Sequence, residues 1–127
     1  MGYRSEVYIA VPKKDERKMD ALLNKYNLMS EDEDSYDFKK THYTQRTMEH
    51  TNRGTLHKST NIVLYQASSL KWYEDRQHVQ DINLFIEMGE AQTDGRCIVC
   101  VGEDDEVHSA IGNYRDVFNI YMKVELQ

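Results

Sequence analysis

The sequence predicts an α+β fold: a mostly antiparallel sheet with two helices on one face, in the order βαββαββ, a ferredoxin-like variant carrying a protruding polar β-ribbon. Three observations predict it. Apolar residues alternate with period two in runs that open and close the chain. Between those runs, two segments change to the helical period. A stretch centred on residues 39–60 keeps the composition of strands but offers no apolar face.

Val7, Ile9 and Val11 share one face of a run from Tyr3 to Val11, with Glu6, Tyr8 and Ala10 on the other, the pattern of a half-buried strand ended by Pro12. From Lys13 to Asn27, Met19, Leu22, Leu23 and Tyr26 fall at i, i+3, i+4 and i+7. Asp15 and Glu16 near the start and Lys25 near the end suit the helix dipole. Leu28 to Asp37, with Glu31, Asp32, Glu33, Asp34 and Asp37, reads as a solvated loop; it lacks the glycine turn and ligand ladder of a calcium loop.

Thr41 to Asn52 is polar on both faces: Thr41, Tyr43, Gln45, Thr47, Glu49 and Thr51 on one, His42, Thr44, Arg46, Met48 and His50 on the other. Asn52-Arg53-Gly54 supplies a turn and Leu56 to Thr60 runs back, so residues 39–60 form a two-stranded ribbon that projects from a single domain spanning 1–127. Its returning strand becomes apolar through Ile62, Val63, Leu64 and Tyr65 and enters the sheet there. A second helix begins at Glu74-Asp75, carries Val79, Ile82, Phe85 and Ile86, and closes at Gly89. Gly95 to Val101 is the continuous apolar run of a central strand. After the acidic corner Gly102-Glu103-Asp104-Asp105-Glu106, the chain passes through Val107 to Tyr114 into a last strand, where Phe118, Ile120, Met122, Val124 and Leu126 alternate with polar residues.

With 39% hydrophobic and 30% charged residues, the 127-residue chain is polar, yet its apolar residues are patterned, which separates it from a disordered sequence. No apolar run reaches the ~20 residues that span a bilayer, and the first residues lack the features of a secretory signal. Cys97 and Cys100, three apart in an extended run, point to opposite faces; they are expected as core thiols rather than a shared metal or redox pair.

Candidates for chemistry are few. Glu103, Asp104, Asp105, Glu106 and His108 could hold a hard cation or supply a carboxylate pair, but consecutive acids diverge and a solvated turn is the expectation. His42, His50 and His57 could meet a metal only with help from across the ribbon or from another chain, because His42 and His50 stand about 26 Å apart along one strand. Nucleophile elbows, Walker loops and dinucleotide fingerprints are missing from the sequence. No catalytic residue, cofactor or metal is therefore expected, and the chain is read as not an enzyme. Trp72 is expected to anchor the second helix, and Tyr36, Tyr43 and Tyr65 are candidates for recognition.

The charge is segregated along the chain. Five basic residues and one acid between Lys39 and Lys58 stand against a remainder near −10, for a total of −6. The predicted partner-binding set is accordingly Lys39, Lys40, Tyr43, Arg46, His50, Arg53, His57 and Lys58. Its expected partner is a protein, blocked by steric occlusion. Two alternatives compete: an oligomeric sponge that encloses a small nucleotide signal, and contact with nucleic acid through the ribbon, which the acidic body disfavours. The sponge would require homo-oligomerisation through the ribbon, and a membrane partner is not expected.

Four stretches carry a resemblance: Met1-Gly2-Tyr3-Arg4-Ser5-Glu6-Val7, Leu70-Lys71-Trp72-Tyr73-Glu74-Asp75, Val79-Gln80 and Val101-Gly102-Glu103-Asp104-Asp105. Covering about a third of the chain, they resemble a family of small uncharacterised bacteriophage and prophage proteins that begin Gly-Tyr-Arg-Ser. The resemblance implies a viral accessory protein acting in the host cytoplasm, with a host-immunity inhibitor of the anti-defence or anti-CRISPR type as the expected role.

Overall fold

A computed structural model describes residues 4–30, 37–90, 96–102 and 107–111. The elements are β1 (Ser5–Pro12), a 3-10 turn (Lys13–Asp15), α1 (Glu16–Lys25), β2 (Lys39–Thr51), β3 (Gly54–Leu70), α2 (Gln77–Glu90), β4 (Cys97–Gly102) and β5 (Val107–Ile111). They form one five-stranded sheet in the order β2-β3-β1-β4-β5, antiparallel at every junction. The class is α+β, as the hydrophobic periods predict.

Both helices lie on one face. Met19 and Leu23 of α1 and Ile82 and Ile86 of α2 share a cluster with Val7, Ile9, Val11, Val63, Tyr65, Ile98 and Cys100. These strand residues occupy alternate positions, as a pleated sheet requires. Each fully buried aliphatic side chain here contributes about 1.5–3 kcal/mol.

The opposite face is apolar as well, with Tyr8, Ala10, Ile62, Leu64, Cys97 and Val99 forming a second, smaller cluster. β1 is therefore buried on both sides and is not the half-buried strand its alternation suggested. The physical reason is position: β1 pairs with β3 on one side and β4 on the other, at the centre of the sheet.

α1 starts at Glu16, after the 3-10 turn, and ends at Lys25. Asn27 takes the left-handed conformation (φ 56°) beyond the helix, and Leu28 N–H donates to the Leu23 carbonyl at 2.9 Å. Leu28 and Met29 then pack on the core and Met29 bridges to Phe38, so the start of the predicted loop belongs to the packed body. Its acidic part, residues 31–36, lies outside the described residues. α2 begins at Gln77, three residues after its predicted start.

The hairpin of β2 and β3 is longer than its neighbours. β1 reaches only to the pair Pro12–Ile62, while β2 pairs with β3 from Lys39–Gln66 out to Thr51–Gly54. Residues 44–61 thus project past the body as a two-stranded ribbon, and residues 39–43, predicted as part of it, are the edge of the main sheet. At the tip, Gly54 takes φ +120°, a conformation glycine adopts without the strain of a Cβ. The fifth strand is Val107–Ile111, a stretch read from sequence as a lead-in. The predicted last strand around Phe118–Leu126 lies outside the described residues, as does the acidic corner Glu103–Glu106. Among the described residues no helix is long and apolar enough to cross a membrane.

Candidate functional site

The register of the hairpin decides which side chains meet α1. Lys40 sits opposite Tyr65, and His42 opposite Val63. Tyr65 and Val63 face the helices, so Lys40 and His42 do too. On α1, Glu16 and Asp20 are four apart and share the face turned to this edge. The result is a compact polar network between α1 and the root of β2.

Lys40 Nζ lies 2.8 Å from Glu16 Oε2 and 2.9 Å from Asp20 Oδ2. Glu16 also pairs with Lys13 at 2.9 Å and with His42 Nε2 at 2.8 Å. Tyr65, fully buried, donates its hydroxyl to Asp20 Oδ1 at 2.6 Å and approaches the Glu16 carbonyl at 3.3 Å. Hydrogen bonds from Lys40, then Lys13 and His42, hold the Glu16 carboxyl down at about 2. The same bonds, from Glu16 first and then Asp20, push the Lys40 ammonium up. Burial, reinforced by Asp20, pushes the Tyr65 phenol up, so it stays a proton donor.

Beside the network lies an open cleft of about 590 Å³ lined by Asp20, Asn24, Met29, Ser30, Lys39 and Lys40. It combines a carboxylate acceptor, the Lys40 ammonium, an amide, a hydroxyl and a thioether, a set suited to a small polar ligand. A second hollow of about 310 Å³ is lined by Lys13, His42, Tyr43, Thr44 and Asn61.

The predicted site residues are spread along the hairpin. Lys39 and Lys40 line the cleft. Lys40 is already paired with Glu16 and Asp20, so its charge is spent inside the chain and does not project as part of a cationic arm. Tyr43 is 39% exposed in the second hollow. His50 faces Thr55 across the hairpin at 3.3 Å, and Arg53 is exposed at its tip. The side chains of Arg46, His57 and Lys58 lie outside what is described. Among the described residues, no group of three His, Cys, Asp or Glu side chains is placed to hold a metal.

Glu16, Asp20, Asn24 and Ser30 were not among the predicted site residues. The i, i+4 spacing of the two carboxylates was visible, but it reads equally well as a solvated helix face. Tyr65 was a candidate for recognition at a surface; the structure buries the whole side chain, and its hydroxyl reaches Asp20 from behind the cleft wall.

Elsewhere polar groups are tied down structurally. Arg96 pairs with Asp15 at 3.0 Å, donates to the Phe85 carbonyl at 2.8 Å and stacks on the Phe85 ring at 3.9 Å, fastening the 3-10 turn to α2. Trp72 packs edge-on against Phe38 and His78, the anchoring role predicted for it. Cys97 and Cys100 are buried on opposite faces of β4, as the strand geometry predicts.

The sequence matches no family model and no curated protein. Among solved structures, the chain is similar to a phage SAM lyase in complex with S-methyl-5′-thioadenosine, with a TM-score of 0.49 and 9% identity over 90% of this chain and 93% of that one. At that identity no residue role passes from one chain to the other. The comparison corrects one expectation. A chain without chemistry of its own that blocks a host protein was predicted; set beside a neighbour described as a SAM lyase, the non-enzymatic assignment and the inhibitor role are not retained.

Proposed function

We propose that this chain is a small-ligand protein that takes a nucleoside- or nucleotide-type molecule in the cleft between α1 and the root of β2. The observation that carries this reading is the Asp20–Lys40 pair on the cleft wall, held from behind by Tyr65 and Glu16. Such a pair is set in position before the ligand arrives, so little ordering cost is left for binding.

The cleft volume of about 590 Å³ falls within the ~300–1,000 Å³ of small-molecule sites. Its chemistry suits the parts of a nucleoside. Asp20 accepts from hydroxyls, Asn24 and Ser30 can pair with the edge of a base, and Met29 offers a polarisable surface.

Thermal unfolding with a panel of ribonucleosides, nucleoside monophosphates, SAM and S-methyl-5′-thioadenosine tests the reading. A ligand at 100 times its Kd stabilises the folded state by about 2.7 kcal/mol, which raises Tm by several degrees. The expected result is such a rise with at least one member, lost in Lys40→Ala. Chromatography of the same incubations scores turnover. No shift with any member at millimolar concentration would overturn the proposal.

A further inference from the structure

Resting on the nucleoside reading of the cleft, we infer that Asp20 is the specificity-determining residue, reading the vicinal 2′,3′-diol of a ribose, and that Tyr65 is the positioning residue that aims it. The two carboxylates of the network are unequal. Glu16 is engaged by Lys13, Lys40 and His42 on its two oxygens. Among the described residues, Asp20 accepts one hydrogen bond on each oxygen, from Tyr65 on Oδ1 and Lys40 on Oδ2, and it lines the cleft. A carboxylate has about four lone-pair positions, so each Asp20 oxygen keeps room for one further donor.

The two existing bonds also remove rotational freedom. Oδ1 is fixed by a phenol whose ring is fully buried in the core, and Oδ2 by an ammonium that Glu16 holds at 2.8 Å. A carboxylate fixed at both oxygens presents two acceptors at a set spacing, which matches two hydroxyls on adjacent carbons. Acidic residues read ribose hydroxyls in dinucleotide sites by the same chemistry. The Asp20 side chain is 27% exposed, open to a ligand from the cleft yet partly screened from water.

The test compares affinities of the full chain for adenosine, guanosine, cytidine and uridine with those for their 2′-deoxy counterparts, by titration calorimetry. The inference expects the ribose form of the preferred base to bind about tenfold more tightly, the loss of one hydrogen bond to a charged acceptor. In Tyr65→Phe the ribose-to-deoxyribose ratio falls toward one, with the deoxynucleoside affinity little changed. A purely structural role for Tyr65 would weaken both equally. Should Tyr65→Phe fail to fold, the wild-type ratio and its loss in Asp20→Ala decide the matter. Equal affinity for ribose and deoxyribose forms overturns the diol reading while leaving the nucleoside reading standing; no binding of any nucleoside overturns both.

Discussion

Tyr65 and Asp20, forty-five residues apart, meet at 2.6 Å where the core ends and the cleft begins. The phenol ring belongs to the hydrophobic cluster and its hydroxyl to the polar network, so one side chain ties packing to the site. Replacing it with phenylalanine keeps the ring and deletes one bond to a charged acceptor. We expect Tyr65→Phe to cost about 1.5 kcal/mol, near the low end for such bonds because water can reach part of Asp20. Urea unfolding should show a lower midpoint with an unchanged slope.

The Glu16 carboxyl carries a pH dependence. Its folded-state value is held at about 2 against an ordinary 4.5. A carboxyl depressed on folding contributes stability that is present above its unfolded value and lost as the pH falls through the folded one. Stability should therefore decline between about pH 4.5 and pH 2, and Glu16→Gln should flatten that part of the curve. Unfolding midpoints measured at half-unit pH intervals check it.

Arg96 and Asp15 are both nearly buried, with side chains 12% and 10% exposed. Arg96→Ala leaves the Asp15 charge and the Phe85 carbonyl without their partner and removes the guanidinium stacked on the Phe85 ring. We expect a loss of about 3 kcal/mol, measured by denaturant melting. The double change Arg96→Met with Asp15→Leu should recover much of it, since the uncompensated charge is gone.

Burial pushes the Cys97 thiol up to about 12, which leaves almost no thiolate at neutral pH. Iodoacetamide at pH 8 should leave Cys97 unmodified in the native protein and label it rapidly in urea, read by intact mass. Rapid labelling of the folded chain would contradict the burial of this face.

How far each feature could be read from sequence depended on whether its cause was local. β1, both helices, the hairpin and β4 were visible because alternation and the 3.6-residue period are written within one element, in runs such as Val7, Ile9 and Val11 or Met19, Leu22 and Leu23. The opposed cysteines followed from strand parity alone. Val107–Ile111 was missed as a strand because five residues carry too little pattern to mark one.

The candidate site has a different origin. Glu16, Asp20, Lys40, His42 and Tyr65 come from three elements, and they converge only because β2 forms the sheet edge beneath α1, in a register that turns Lys40 and His42 toward the helix. At Lys40 the basic run along the chain meets acids of the same molecule in space. Lys40, read as part of a basic arm, lies between two carboxylates of the helix preceding it. Patterning encodes which face each element buries, while strand pairing brings together residues too distant for any local period to relate, and the cleft is a product of that pairing.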